Sequence, residues 1–425
     1  MKVSKFGGSS VSNATQIKKV LNIVNSDPER KIVIVSAPGK RHDNDIKTTD
    51  LLIRLYEKVI NHLDYHDKKR EIIQRYDDIV KELQMDESIL RTIDVTLEHY
   101  INQLKNEPKR LLDALLSCGE DFNAQLIALY NNSQGIPTKY ISPKEAGIFV
   151  TDVPQEAQIL DSAYSEIKKL RDYDEKLIIP GFFGVSHEGY IVTFPRGGSD
   201  ITGAIISSGV RATIYENFTD VSGIYKANPN IIKDPELIEE ITYREMRELS
   251  YAGFSVFHDE ALQPLYKDRI PVVIKNTNRP QDKGTFIVHD REINAKNVIS
   301  GISCDKDFTV INIKKYLMNR QVGFTRKILG VLEDNNISFD HMPSGIDTIS
   351  IVMRSKQIQN KETKVLNEIR QKCAESKINL KMINQGASEI SMMFGIHVDD
   401  AEKAVLSTYE FCYHGVALKN LCDKN

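Results

Sequence analysis

Hydrophobic residues open the chain as a short run, Met1 to Phe6, that predicts a strand. The small residues Gly7, Gly8, Ser9 and Ser10 interrupt it. Ile17, Val20, Leu21 and Val24 then recur at i, i+3, i+4 and i+7, which predicts an amphipathic helix capped by Ser12 or Asn13. KIVIVSA (31–37) is a continuous apolar run rich in β-branched residues. It is too short for a buried helix and predicts a strand covered on both faces, as in a parallel sheet. The order β–loop–α–β opens an α/β domain.

Residues 51–130 carry a helical pattern with no glycine before Gly119. Pro108 breaks that stretch, and LLDALLSCGEDFNAQLIALY (111–130) resumes it. Strand patterns return at KLIIPGFFGV (176–185), YIVTF (190–194), ATIYENF (212–218) and PVVIKN (271–276). Residues 1–295 are therefore expected to form one large unit, a three-layer α/β/α domain with a mainly parallel sheet.

The texture then changes. FTVINIKK (308–315) reads as a strand, GFTRKILGVLEDNN (323–336) as a helix, and ISFDHM (337–342) and DTISIVM (347–353) as strands. This β-α-β-β order predicts a small α+β module over 300–356. Part of it recurs 41 residues later: Ile337, Phe339, Met342, Gly345, Ile349 and Ser350 match Ile378, Leu380, Ile383, Gly386, Ile390 and Ser391. A second module is expected over 357–425, ending in a helix at DDAEKAVLSTYEF (399–411). KVLNEIRQKCAESK (364–377) contains no convincing strand, so the second module looks incomplete. Half a module would leave an apolar face uncovered, which favours residues missing near Cys373–Ala374 over a true truncation.

Composition narrows the class without deciding it. The 425 residues carry a net charge of −3, with 41% hydrophobic and 27% charged residues, so neither nucleic-acid nor membrane binding is expected. No apolar run reaches membrane-spanning length, and MKVSKFGGSS lacks the apolar stretch of a signal peptide. Cys118, Cys304, Cys373, Cys412 and Cys422 show no CxxC spacing, so neither a disulfide framework nor a protein-held metal is expected. A cytoplasmic address is the expectation.

Two glycine-rich segments carry the candidate chemistry. Lys5-Phe6-Gly7-Gly8-Ser9-Ser10 joins a strand to a helix. Glycines let backbone approach an anion, and the following helix start adds partial positive charge. The spacing is neither a Walker A loop nor GxGxxG. Arg196-Gly197-Gly198-Ser199-Asp200 follows another strand, where Arg offers a bidentate fork for a carboxylate and Asp can orient a lysine. Glu120, in Ser117-Cys118-Gly119-Glu120, reads as a helix-boundary acid suited to an amine. Thr219-Asp220-Val221-Ser222-Gly223-Ile224-Tyr225 follows a strand, at the end where α/β sheets bind nucleotides. Taken singly, each also fits an ordinary turn, cap or surface ion pair. Two glycine loops in one α/β domain point to an anion-handling enzyme.

KFGGSS, SCGE, PGFFG (180–184), RGGSD and TDVSGIY, in this order, resemble the aspartokinase branch of the amino-acid kinase family over nearly the whole chain. The C-terminal modules resemble ACT domains, which sense amino acids, and INQGASE (383–389) resembles their marker string. The resemblance implies phosphoryl transfer from ATP, with Mg2+ carried by the nucleotide, to the β-carboxylate of L-aspartate. This is the first step toward lysine, threonine and methionine. It implies that Lys5 stabilises the transferred phosphoryl and Asp200 holds Lys5. Arg196 would grip the substrate carboxylate, Glu120 its ammonium, and Thr49 would face the substrate. Gly7, Gly8, Ser9, Gly197, Gly198 and Ser199 would line the phosphate path, and Thr219, Asp220 and Tyr225 would contact the nucleotide.

For regulation, the resemblance implies an effector site between first modules of a homodimer, with a dimer of dimers as a further option. Met318, Phe324, Asp340 and Ser344 occupy the matching positions. Asp340 can pair with an ε-ammonium, so lysine is the expected inhibitor. Asn230 and Ser255 depart from the family pattern, standing where members commonly carry basic residues that hold ATP. The alternatives are a kinase for glutamate, acetylglutamate, carbamate or a nucleoside monophosphate, or a catalytically weak amino-acid-sensing regulator. No second enzyme domain is expected after residue 425.

Overall fold

The computed structural model describes residues 1–195, 197–251, 262–292, 299–365, 367, 383–385 and 392–414. The chain divides into two compact units, the first comprising residues 1–229 and 234–301 and the second residues 230–233 and 302–425.

The first unit is built on an eight-stranded sheet of order β3-β4-β2-β1-β7-β9-β10-β8. Its strands are β1 (Lys2–Phe6), β2 (Arg30–Val35), β3 (Thr138–Tyr140), β4 (Lys176–Pro180), β7 (Ile214–Thr219), β8 (Glu240–Thr242), β9 (Val272–Asn276) and β10 (Thr285–Val288). The pairings from β3 to β9 are parallel, and β10 runs antiparallel to β9. A separate two-stranded antiparallel sheet pairs β5 (Phe183–Val185) with β6 (Ile191–Thr193).

Side-chain alternation along the strands sends residues to two different cores. Val3, Ile32, Ile34, Leu177, Ile179 and Tyr215 face one layer, and Phe6, Val33, Val35, Ile178 and Phe218 face the other. The first layer holds α6 (Ala163–Ile167), α7 (Gly198–Gly209), α8 (Tyr243–Tyr251) and α9 (Leu262–Lys267). The second holds α1 (Ala14–Asn25), α2 (Thr48–Ile60), α3 (His66–Leu83), α4 (Ser88–Leu104) and α5 (Pro108–Ser133). This is the expected three-layer α/β/α arrangement. Helix α1 starts at Asn13, whose side chain accepts from the Gln16 amide at 3.0 Å, and it buries the stripe Ile17, Val20, Leu21 and Val24.

Two expectations about this unit need correcting. KLIIPGFFGV is two strands in different sheets, because Phe182 takes φ 79° and turns the chain between them. Glu120 lies in the middle of the 26-residue α5, which Pro108 opens at its first turn rather than interrupts. Strands β3, β8 and β10, of three or four residues each, are too short to stand out by pattern.

The second unit pairs β11 (Phe308–Lys314) antiparallel with β12 (Thr348–Arg354), followed by α11 (Ser355–Ile358). Helix α10 (Phe324–Asp334) buries Phe324, Ile328, Val331 and Leu332 in this unit's core. The segment 337–342 is no regular strand. It meets β12 through bonds such as the Asp340 amide to the Val352 carbonyl, 2.8 Å, and through an isolated bridge at His341, with another at Ser344 just beyond it. Further on, β13 (Ile383–Gln385) pairs antiparallel with β14 (Met392–Phe394), and a helix spans Ala401–Tyr409. The Cys373–Ala374 region, most of the repeat's second copy and most of the INQGASE marker lie outside the described residues.

Candidate active site

β1 has β2 on one side and β7 on the other, so the connections after these strands diverge from a switch point where α/β sheets bind ligands. A cleft of about 760 Å³ opens there. Lys5, Ser9, Thr49, Glu120, Ser199 and Asp200 are among its walls, together with Gly8, Gly197, Gly198 and Asp220. Segments read separately from the sequence thus converge on one cavity, of a size that suits a nucleotide-scale ligand.

Lys5 is largely buried on β1, and its Nζ lies 2.6 Å from Asp200 Oδ1. Asp200 sits in the first turn of α7, where a carboxylate also gains from the helix dipole. Asn217 of β7 donates from Nδ2 to the same Oδ1 at 2.9 Å. Sequence reading missed Asn217. Its only signal was a polar residue inside the apolar strand ATIYENF.

Glycines set the cleft's shape where backbones touch. The Gly39 amide donates to the Gly8 carbonyl at 2.9 Å, and a Cβ on Gly39 would lie 2.6 Å from the Gly8 carbonyl carbon. Gly197 caps α7 with φ 74°, a left-handed conformation that favours glycine. At the α7 start that follows, the Asp200 amide donates back to the Gly197 carbonyl at 2.8 Å, and Gly198 and Ser199, the first two residues of the helix, line the cleft.

Glu120 is reached through close packing. A Cβ on Gly119 would lie 2.8 Å from the Ala37 Cβ, so α5 presses against the chain leaving β2. The buried Tyr76 hydroxyl of α3 donates to the Gly119 carbonyl at 2.8 Å, holding this turn of α5. Glu120 Oε2 is buried and has no hydrogen-bond partner. Burial pushes its carboxyl up to about 8, against the opposing pull of the Ala37 backbone and the Lys5 charge. A buried acid on a cleft wall with one oxygen unpartnered is suited to receive a cation.

Thr48 and Thr49 divide their roles. Thr48 is buried and donates from Oγ1 to the Pro38 carbonyl at 2.7 Å, whereas Thr49 lines the cleft. Past β7, Thr219 Oγ1 donates to Asp220 Oδ1 at 3.1 Å. Asn276 of β9 braces this turn, donating to the Asp220 carbonyl at 3.1 Å and Ser222 Oγ at 3.2 Å. Gly7, Thr219 and Tyr225 are not among the cleft walls. Arg196 and Ser255 lie outside the described residues. In the second unit, Met318 and Phe324 are core residues, Asp340 is half-buried and Ser344 is exposed.

The unanticipated cleft walls come from residues 36–47, which bring Lys40, Arg41, His42 and Lys47 to the cavity edge. Phe182 is a further wall.

Comparison with known proteins matches this picture. The amino acid kinase family model covers residues 1–276, and an ACT domain model covers residues 360–410. Aspartokinase 3 of Bacillus subtilis is 43% identical, over 98% of this chain and all of the relative. That alignment spans 454 positions, more than this chain has residues, so the relative has residues without counterpart here. Chloroplastic aspartokinase 1 of Arabidopsis thaliana is 27% identical over 99% of this chain and 81% of the relative. Among solved structures, Clostridium acetobutylicum aspartate kinase superposes with a TM-score of 0.82 at 39% identity, covering 97% of this chain and 100% of that one. The E. coli aspartokinase III complex with aspartate and ADP shares the fold, with a TM-score of 0.77 at 23% identity over 97% and 100%. This chain belongs to the amino acid kinase family and, within it, to the aspartokinases.

Proposed function

We propose that this enzyme transfers the γ-phosphoryl group of ATP to the β-carboxylate of L-aspartate, the entry step to lysine, threonine and methionine. The observation that carries the reading is the pairing in one cleft of Lys5, fixed on Asp200, with Glu120, whose buried oxygen lacks a partner. The first suits a developing phosphoryl charge, and the second suits the ammonium of an amino acid.

Phosphoryl transfer asks the protein for position and charge rather than covalent chemistry. Lys5 neutralises the phosphoryl in flight. Asp200 and Asn217 hold it there and bar the ammonium from swinging away. The glycine turn at Gly7 and Gly8, with Ser9, cradles phosphate. Gly197, Gly198 and Ser199 bring the α7 start alongside. Glu120 takes the substrate ammonium, Thr49 faces the substrate, and Arg196 has the family role of gripping its carboxylate. Thr219, Asp220 and Tyr225 form the nucleotide side. Magnesium carried by the nucleotide would supply further neutralisation of its phosphates. Asp200 is already engaged by Lys5 and Asn217, and Asp220, on the nucleotide side of the cleft, would be the carboxylate placed to face the metal.

The ACT domain match at residues 360–410 supports regulation by an amino acid. The proposed effector is lysine, held near Met318, Phe324, Asp340 and Ser344 across a homodimer of first modules, with a dimer of dimers as the larger assembly. Burial of Met318 and Phe324 leaves Asp340 and Ser344 as the side chains for effector contact. A lysine and aspartate complex is known for E. coli aspartokinase III, which lends that effector support. The domain plan proposed is a kinase domain over 1–295 and modules over 300–356 and 357–425, the latter lacking residues near 373–374. The proposed compartment is the cytoplasm. Among the described residues no helix is long and apolar enough to cross a membrane.

ADP release with aspartate, glutamate or no acceptor, with and without lysine, tests the activity and its regulation together. Lysine at millimolar concentration leaving turnover unchanged would remove the regulatory half.

A further inference from the structure

The loop between β2 and α2 is built around a buried guanidinium outside the cleft. Arg75 belongs to α3 and is 3% exposed. Its Nη1 donates to the Gly39 carbonyl at 3.1 Å, and its Nη2 donates to the Ile46 carbonyl at 2.5 Å and to Asp45 Oδ1 at 3.0 Å. Nη1 also lies 2.9 Å from Asp45 Oδ2, making the pair bidentate. Asp45 in turn accepts from the Arg41 amide at 2.9 Å and from Arg41 Nε at 3.0 Å. Arg41 Nη1 reaches Asp78 on α3 at 2.9 Å. Burial alone would raise the Asp45 carboxyl, but hydrogen bonds from Arg41 and the charge of Arg75 hold it well below the usual carboxylate range. One guanidinium thus ties both ends of an arc, residues 39 and 46, to the helix beneath.

That arc carries charge into the cleft. Lys40 and Lys47 line the same cavity as Lys5, Gly8 and Asp220. Both lysines are exposed, and among the described residues neither forms an ion pair with a carboxylate; Lys40 Nζ donates to the Asp43 carbonyl, at 3.1 Å. The arc is also tied to the phosphate-cradling turn, because the Gly39 amide donates to Gly8. A cation beside a glycine cradle, with no acidic partner of its own, is placed for an anion.

We propose that Arg75 is a positioning residue: it pins residues 39–46 in the arc that presents Lys40 and Lys47 to the phosphate groups of the nucleotide. The inference rests on reading the cleft as a kinase site. Lysines at both ends of a flexible loop would spend most of their time in water. Clamping the arc from below keeps them at the cavity while they stay free to move with the phosphates.

Steady-state kinetics on the full chain test this, varying Mg-ATP and aspartate separately. The Lys40→Ala/Lys47→Ala double variant is expected to raise the KM for Mg-ATP about tenfold while the KM for aspartate stays within about twofold. Arg75→Met is expected to reproduce that selective rise. Combining all three substitutions is expected to add little, because lysines on a loosened arc no longer contribute. Should Arg75→Met fail to fold, Arg75→Lys supports the same comparison, since an ammonium keeps the positive charge beside Asp45 but lacks the fork that reaches both carbonyls. An unchanged KM for Mg-ATP in the lysine variant, a rise confined to the aspartate KM, or effects that multiply would each overturn the proposal. A wild-type enzyme with no aspartate-dependent turnover would instead sink the kinase reading, and this is seen before any variant is compared.

Discussion

Lys5 and Asn217 stand opposite each other in the pairing of β1 with β7 and converge on one oxygen of Asp200. The strand register aims both side chains at the layer that contains α7. The carboxylate is therefore held from two strands at once, and the lysine has one position rather than a range of rotamers. Preorganisation of this kind removes reorientation from the barrier to transfer.

Asn217 thus becomes a test of positioning. Asn217→Ala should leave Lys5 and Asp200 paired but less fixed. The lost hydrogen bond to a charged group, about 1.5–3 kcal/mol at most, corresponds to a fall in kcat of about tenfold to a hundredfold. Lys5→Ala should fall further, by about three orders of magnitude or more, with the folded structure retained by circular dichroism. A Lys5→Ala rate equal to wild type would remove the lysine from the mechanism.

Glu120 predicts a pH dependence with a definite sign. Its carboxyl is pushed from the ordinary 4.5 up to about 8 in the folded, ligand-free enzyme. Between those values the folded state holds a proton that the unfolded state has lost. Stability should therefore fall as pH rises through that window, with a slope of up to about 1.4 kcal/mol per pH unit from this group. Thermal melts from pH 5 to 8 should show the decline, and Glu120→Gln should flatten it. An ammonium beside Glu120 favours the ionised form, so amino-acid binding at pH 7 should release a proton. Calorimetric titrations in buffers of different ionisation enthalpy count that proton; none released would contradict the assignment.

Thr48 and Thr49 should separate stability from binding. Thr48→Val removes the donor to the Pro38 carbonyl and should cost about 1–2 kcal/mol in urea unfolding with little change in KM. Thr49→Val should leave the unfolding midpoint in place and raise the KM for the amino acid. A reversed pattern would mean that Thr48 faces the substrate.

Gly39→Ala probes the contact between the two cleft loops. Its Cβ would fall 2.6 Å from backbone of Gly8, which cannot rotate aside. The loops must part, so kcat/KM should drop more than tenfold with a stability loss of about 1–3 kcal/mol. Gly135→Ala makes a useful contrast. It has no atom nearby but a φ of 80°, so it should cost stability without touching turnover.

Much of this was legible in the sequence because strong patterns coincide with strong physics. The stripe on α1 and the run of β2 each report a buried face directly. Lys5, Glu120 and Asp200 stood out because glycines flank them, and those glycines are where backbone or helix must approach closely. Asn217 and Arg75 stayed hidden for the opposite reason. Each is a polar residue inside an otherwise ordinary strand or helix, and its role depends on a partner 17 or 30 residues away in sequence. Glu120 reads as a helix-boundary acid because Ser117 and Gly119 stand beside it, although Gly119 lies mid-helix, where α5 presses against Ala37. Segment 337–342 alternates like a strand but makes only scattered bonds to β12.

The most direct test of the central claim is acyl-phosphate formation, trapped with hydroxylamine while ADP release is followed, with aspartate, glutamate or no acceptor. Aspartate should give ADP and hydroxamate in equal amounts, with neither product above background for glutamate or without acceptor. ADP release that is indifferent to aspartate, or hydroxamate formed with glutamate instead, would contradict it.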